Sequence, residues 1–347
     1  MSASEADMLP THPRPWLLRL SYLDSDGLGA LLRDTQRVLL GEIHYGRPLR
    51  ALTAVDHPHA IVGMPQLGTK SLVEVWTSDL PVTYRHEGDL TIACNSEILF
   101  GCITHSGNGV DDFEHAIRDS YAHIISILQT EGYPHLLRMW NYFPGIGNVI
   151  GGLDRYQVFC RGRFQALQTR YGMFEGRLPA ASAVGSIDGD TVIYFIAGRQ
   201  PGRHRENPRQ ISAYRYPPQY GPRSPSFARA TFKRCDGGRG CLYISGTASI
   251  VGHESMHPND PAEQLEETLR NLRTLIDGAR AEERAKFHGL DSVSHLKVYI
   301  RDPAHFGLIS RRIGQLLRPQ VPVLYLRADV CRPDLLLEIE AVVKEES

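Results

Sequence analysis

Cysteine is sparse and unpatterned in this chain. Six cysteines lie scattered over 347 residues, at 94, 102, 160, 235, 241 and 331, and no two form a C-x-x-C pair. That spacing excludes a zinc ribbon and offers no disulfide framework, so free thiols are expected. An excess of one charge is missing too: 38 Lys and Arg stand against 39 Asp and Glu, a formal net charge of −1. Without a basic field there is no global reason to expect nucleic acid or a membrane surface as partner, and any anion site must be local. Long apolar runs are also absent. None approaches the roughly 18 residues of a membrane span. The first 15 residues lack the basic start and apolar core of a secretory signal, which points to the cytoplasm.

One motif is present in letters only. "IVGHESMHPND" (250–260) contains H-E-x-x-H, in which two histidines bind zinc and a glutamate activates water. The motif needs a helix, where residues four apart share a face. Here Gly252 precedes His253, and Pro258 pushes His257 toward extended backbone. The segment reads as a loop with two solvated histidines bordering whatever follows, and a zinc hydrolase is the minority reading. Helix signals start just after it: Asp260 as N-cap, Pro261 at the first helical position, Glu263 closing a capping box, then a stripe of Leu265, Leu269, Leu272 and Ile276.

The length and a hydrophobic fraction of 42% suit two globular domains. The last third has a legible order. It runs from a β-rich segment (241–252) through the capped helix (261 to about 277) to a strand with alternating Leu296, Val298 and Ile300. A helix (303–317), a strand (321–328), the corner "DVCRPD" and a final strand (335–343) follow. This is an α+β sheet with helices on one face. The middle of the chain repeats the order: "EILFGCITH" (97–105), a helix capped by Asp111 and Glu114, "HLLRMWNYFP" (135–144), the helix-compatible "YQVFCRGRFQAL", and "LPAASAVGSIDGDTVIYFIA". The repeated order makes an internal duplication the expectation to test; on that alignment Phe195 fills in the first copy the position of Glu338 in the second. Residues 1 to about 90 are less legible and read as an elaboration of the first domain.

Between the copies lies a Pro-, Tyr- and Arg-rich stretch (199–234) whose only acid is Glu206. It reads as an exposed connector with solvated arginines, as a single-strand nucleic-acid binder, or as a fixed loop holding a small anion with one or two arginines and tyrosine hydroxyls. A neutral chain disfavours the second. In the final strand Glu338 and Glu340 alternate, so both point to one face of the sheet. Solvation is the default for such a pair. A carboxyl in a partly apolar cleft would instead carry a raised pKa and trade a proton near neutrality.

The blocks "RMWNYFPGIGN", "YQVFCRGR", "YPPQYGPRSPSFARAT", "ISGTASIVGH", "HLKVYIRD" and "DLLLEIEAVV", in that order over residues 95–345, resemble the chorismatases. These enzymes of chorismate breakdown are distant relatives of the YjgF/RidA imine deaminases. The resemblance implies an α+β fold of two RidA-like domains, each a mixed sheet with helices on one face: residues 1–205 with the amino-terminal elaboration, and 206–347 carrying Glu338. It implies a cofactor-free reaction on chorismate. Tyr156, Arg163, Tyr216 and Arg229 match the substrate-binding residues and Glu338 the catalytic acid/base. Read alone, the arginines would be structural ion pairs and the tyrosines packed aromatics.

Chorismatases divide by product. Hydrolases, which make a dihydroxycyclohexadiene carboxylate, tend to carry alanine where this chain has Gly246 and Cys331. The segments "ISGTAS" and "ADVCRPDLLLE" match the 3-hydroxybenzoate formers, some of which also release 4-hydroxybenzoate. The expectation is chorismate cleavage to 3-hydroxybenzoate and pyruvate, with Gly246 leaving room at the ring and Cys331 assisting proton movement. As a small buried filler Cys331 would have no such role. Lys297 is read as a surface cation or a residue of the same pocket. The alternatives are a chorismate hydrolase and a non-catalytic RidA-like ligand-binding protein. RidA proteins place sites between subunits, while a duplicated chain can supply such an interface internally, so oligomeric state stays open.

Overall fold

A computed structural model describes residues 17–52, 55–105, 113–234 and 239–345. Three mixed sheets build the chain. The first holds β1 (Arg19–Leu23), β2 (Val38–Tyr45), β3 (His59–Val62) and β4 (Val73–Ser78), with α1 (Ser25–Arg33) on its outer side, in the order β1-β4-β2-β3. The second holds β5 (Thr83–Glu87), β6 (Leu90–Cys94), β7 (Ile98–His105), β8 (His135–Pro144), β11 (Ala180–Ser186) and β12 (Thr191–Gly198), ordered β11-β8-β12-β7-β6-β5. Its helices are α2 (Phe113–Thr130) and α3 (Arg155–Tyr171), the latter entered from a hairpin of β9 (Val149–Ile150) and β10 (Leu153–Asp154).

The third sheet joins β13 (Arg203–Arg205), β14 (Ala230–Arg234), β15 (Gly240–Thr247), β18 (Val293–Ile300), β19 (Val323–Arg327) and β20 (Leu337–Lys344). Its helices are α4 (Pro261–Glu283) and α5 (Phe306–Leu316), and its order is β13-β14-β15-β20-β18-β19. Read from β19, that order is the order of the second sheet strand for strand. The first sheet repeats the four strands β15-β20-β18-β19 as β1-β4-β2-β3, with the same single parallel pair at its end. Residues 19–78 are therefore a sheet of their own rather than an appendage of the second, and β13 already pairs within the third sheet at Arg203.

Local sequence explains the elements. Asp260 accepts from the backbone N–H of Ala262 and of Glu263, and Pro261 starts α4, which runs on to Glu283. The Asp111 cap expected for α2 lies outside the described residues. Outer faces bury apolar stripes under helices: Leu265, Leu269, Leu272 and Ile276 of α4 meet Val298, Ile300, Leu337 and Ile339. Inner faces converge on one core holding Trp76, Trp140, Tyr142, Tyr194, Tyr243 and Tyr299 from all three sheets. The rims are tied together, Gly185 and Asp329 exchanging backbone hydrogen bonds of 2.8 and 2.9 Å between the second and third sheets. Gly63 and Gln66 bridge from the first sheet to Asp188 and Leu326.

Parity on β12 corrects one expectation. Phe195 faces α2 and α3, whereas Tyr194 faces the inner core, so Tyr194 rather than Phe195 shares the inward face that Glu338 occupies on β20. A one-residue slip of register moves every side chain to the opposite face. The connector is also not simply solvated. Arg203 and Arg205 pair with Glu283, and Arg209 with Glu267, which staples it to α4. Cys94, Cys102, Cys160 and Cys331 are free thiols; Cys235 lies outside the description. Among the described residues no helix is long and apolar enough to cross a membrane.

Candidate active site

A cavity of about 430 Å³ opens where α3, β11, the connector, β15 and the corner before β20 meet. The entry to α3 is fixed by a reciprocal cap. Asp154 accepts from the Gln157 backbone N–H at 2.7 Å, and the Gln157 side chain accepts from the Asp154 N–H at 3.1 Å. From that cap, Tyr156, Cys160 and Arg163 fall at i, i+4 and i+7 and line one wall together. The opposite wall comes from the connector, which makes short turns at Ala213–Arg215 and, set by Pro217 and Pro218, at Pro218–Tyr220. Tyr216, Tyr220 and Arg229 project from it.

Arg163 and Arg229 are buried, and among the described residues neither is within ion-pair distance of a carboxylate. Arg163 is 2% exposed, with its guanidinium 5.1 Å over the Tyr121 ring, and Arg229 is 4% exposed. Arg229 donates to the Tyr216 hydroxyl at 2.7 Å and the Ile211 carbonyl at 3.1 Å. The Nε–H of each meets no hydrogen-bond acceptor, and neither forms an ion pair among the described residues. Buried guanidinium donors left open in a cavity wall suit an anionic ligand, because an unpaired buried charge is costly. The structural ion-pair reading of these two arginines is not what the chain has built.

Glu338 forms the floor. On β20, Leu337 and Ile339 turn to the helices, so Glu338 and Glu340 turn inward. Burial, reinforced by the negative charge of Glu340, pushes the Glu338 carboxyl up to about 8. Glu340 goes the other way. Burial also opposes its ionisation, but Lys297 and Arg138, with the Ser182 hydroxyl, outweigh that and hold it at about 2. Two carboxyls on one strand face thus occupy opposite protonation states at neutral pH. A Cβ on Gly246 would fall 2.6 Å from the Glu338 carboxyl carbon, so the bare glycine is what lets the carboxyl sit there. Cys331, on the corner before β20, has its thiol pushed up to about 12 by burial and by Glu338, and stays protonated.

Tyr156, Arg163, Tyr216, Arg229, Gly246, Cys331 and Glu338 all line this cavity. Lys297 does not. It is 1% exposed on the inner face of β18, bound to Glu74 at 2.7 Å and Glu340 at 2.9 Å. It is thus neither a surface cation nor a cavity residue. His253 and His257 do not line the cavity either. Their segment is a hairpin of β16 (Ile250–Val251) and β17 (Glu254–Ser255), with Gly252 at φ 59° and His257 at φ 54°, so the two imidazoles never share a helix face. Among the described residues no group of His, Cys, Asp or Glu is placed to hold a metal ion.

Arg332 and Ser182 are among the cavity residues that escaped the sequence reading. Arg332 packs 4.0 Å over the Tyr220 ring and donates to the His253 carbonyl at 2.8 Å. Ser182 accepts from the Gly246 N–H at 2.9 Å and donates to Glu340 at 2.7 Å. A lone arginine in "DVCRPD" and a serine within "AASAVGS" carry no local signal; only the meeting of β11 with β15 and β20 reveals them.

Comparison with known proteins gives the family. The family model for the amino-terminal part of FkbO/Hyg5-like chorismatases matches residues 74–197. The chain is 34% identical over 334 residues to a 3-hydroxybenzoate synthase of Streptomyces hygroscopicus, covering 93% of this chain and 96% of that one. It is 34% identical over 328 residues to a chorismatase of Streptomyces rapamycinicus, covering 93% and 97%. A chorismatase crystal structure superposes with a TM-score of 0.85 at 32% identity, over 96% of this chain and 100% of that one. The chain belongs to the chorismatase family.

Proposed function

We propose that this chain cleaves chorismate to 3-hydroxybenzoate and pyruvate, with Glu338 as the acid and base. One observation carries the reading. The Glu338 carboxyl, kept in its acid form near neutral pH and free of protein hydrogen bonds among the described residues, faces a cavity walled by Arg163 and Arg229, neither of which forms an ion pair among the described residues. Chorismate presents two carboxylates and an acid-labile enolpyruvyl ether. Arg163 and Arg229, with the Tyr156 and Tyr216 hydroxyls, supply the fork and directional donors that hold such a dianion in one pose.

The step balances without water. Glu338 transfers its proton to the methylene carbon of the enolpyruvyl group. The bond from the ring carbon to the ether oxygen then breaks, its electron pair going to that oxygen, which becomes the keto oxygen of pyruvate. The neighbouring ring hydroxyl closes on the vacated carbon, forming an epoxide and returning its proton to Glu338. Breaking the epoxide C–O bond at the carbon that bore the hydroxyl, with the ring proton lost from the carbon that keeps the oxygen and a proton taken up by that oxygen, gives 3-hydroxybenzoate; breaking the other C–O bond in the same way gives 4-hydroxybenzoate. Gly246 leaves room for the carboxyl beside the ring, and Cys331, held as a thiol, relays the proton released on aromatisation.

A lactate dehydrogenase-coupled assay tests the reading. Wild type releases pyruvate from chorismate, and Glu338→Gln folds but loses at least about a hundredfold in kcat, the scale of a general acid. Normal turnover by that variant removes Glu338 from the mechanism.

A further inference from the structure

The first sheet is joined to the cavity floor by a buried chain of charges. Glu74 on β4 accepts from Tyr45 at 2.7 Å, from Trp76 at 2.8 Å and from Tyr194 at 3.0 Å, and pairs with Lys297 on β18 at 2.7 Å. Lys297 pairs in turn with Glu340 Oε1 at 2.9 Å. Glu340 has no free lone pair. Its Oε1 accepts from Lys297 and from Trp140 at 2.7 Å, and its Oε2 from Arg138 at 2.7 Å and from Ser182 at 2.7 Å. A carboxylate saturated by four donors, two of them cationic, neither takes up a proton nor binds ligand. Glu74 and Glu340 are 1% and 5% exposed; with Lys297 and Arg138 they make four buried charges, each paired with one of the opposite sign.

We propose that Glu340 is a positioning residue: a fixed negative charge on the same face of β20 as Glu338 that helps Glu338 hold its proton, with Arg138, Lys297 and, from the first sheet, Glu74 serving to hold that charge in place. The charged and titratable groups facing Glu338 are few. Glu340 is on its own strand, Arg138 comes from β8, Arg229 from the connector, Tyr156 from α3 and Cys331 from the corner. The two arginines favour ionisation of Glu338 and the tyrosine and thiol are neutral; burial is the largest force against ionisation, and among the described residues Glu340 is the charge that adds to it. The role also gives residues 19–78 a function, since Glu74 balances the lysine on which Glu340 depends.

The inference rests on the proposed acid role of Glu338, so its test has one readout tied to turnover and one independent of it. In Glu340→Gln the basic limb of kcat against pH on chorismate is expected to move down by about one unit or more, and Glu340→Asp, which restores the charge, to return it toward wild type. Glu74→Gln, remote from the cavity, moves the limb the same way by less. Infrared titration of the protonated-carboxyl band, assigned by its loss in Glu338→Gln, reads the same shift in the protein without substrate. If wild type fails to turn over chorismate, the functional reading falls while the infrared titration still decides this one. An unmoved limb with activity lowered evenly at every pH, or an unmoved infrared titration, overturns it. Should Glu340→Gln not fold, Glu74→Gln and Glu340→Asp carry the same comparison.

Discussion

Gly246 and Glu338 occupy one space: a methyl group on the glycine would press against the Glu338 carboxyl, whose carbon lies 2.6 Å from the built Cβ. The carboxylate is the flexible end of its side chain, so it moves rather than the strand. Gly246→Ala is therefore expected to fold normally and to turn the carboxyl away from its present position. Kinetics should show kcat reduced by about tenfold or more with KM little changed. Products should shift from 3-hydroxybenzoate toward the dihydroxycyclohexadiene carboxylate of the hydrolases. An unchanged rate and product pattern would remove Gly246 as a determinant.

Arg163 and Arg229 are predicted to act through geometry as well as charge. Lysine retains the charge but loses the planar fork. Arg163→Lys and Arg229→Lys should each raise KM for chorismate by about ten- to a hundredfold, about 1.4 to 3 kcal/mol of lost binding. Melting temperature should change little, since neither arginine holds an ion pair among the described residues. Steady-state kinetics beside thermal melts check this. A fall in stability with KM unchanged would return both to structural roles.

How much of this was legible in the sequence depended on whether a face was wet or dry. Asp260 and Pro261 announced α4, and the alternation of Leu296, Val298 and Ile300 fixed which side of β18 faces the helices. The same alternation put Lys297 on the other side, but no local pattern tells that three sheets close over that side and bury it. On β12 every residue from Thr191 to Gly198 is buried, so no alternation marks which of Tyr194 and Phe195 faces inward. The first sheet was hidden by its nine-residue helix and by the absence of a described helix between β2 and β3. The site residues were reached through long motif blocks. Arg332 and Ser182 stood outside any motif role and needed the tertiary structure.

Stability against pH should separate the two carboxyls of β20. Glu338 sits at about 8 in the folded chain against an ordinary 4.5. Between those values the folded state holds a proton that the unfolded state has released, so the stabilising contribution is complete below about pH 4.5 and is lost as pH rises through about 8. Glutamine mimics the protonated carboxyl and cannot ionise. Glu338→Gln should melt with wild type near pH 4 and a few degrees above it near pH 8. Glu340, held at about 2, contributes above pH 4.5 and loses that contribution as pH falls through 2, so acid unfolding should persist in the variant. Equal melting at both pH values would contradict an acid-form Glu338.

The central claim is tested most directly by the products formed from chorismate. Purified protein incubated with chorismate, with the aromatic acids separated by chromatography and pyruvate measured enzymatically, should give 3-hydroxybenzoate as an aromatic product and one pyruvate for each chorismate consumed. Glu338→Gln should give neither above background. Chorismate left intact by the wild-type protein, or pyruvate released with only a dihydroxycyclohexadiene carboxylate, would contradict it.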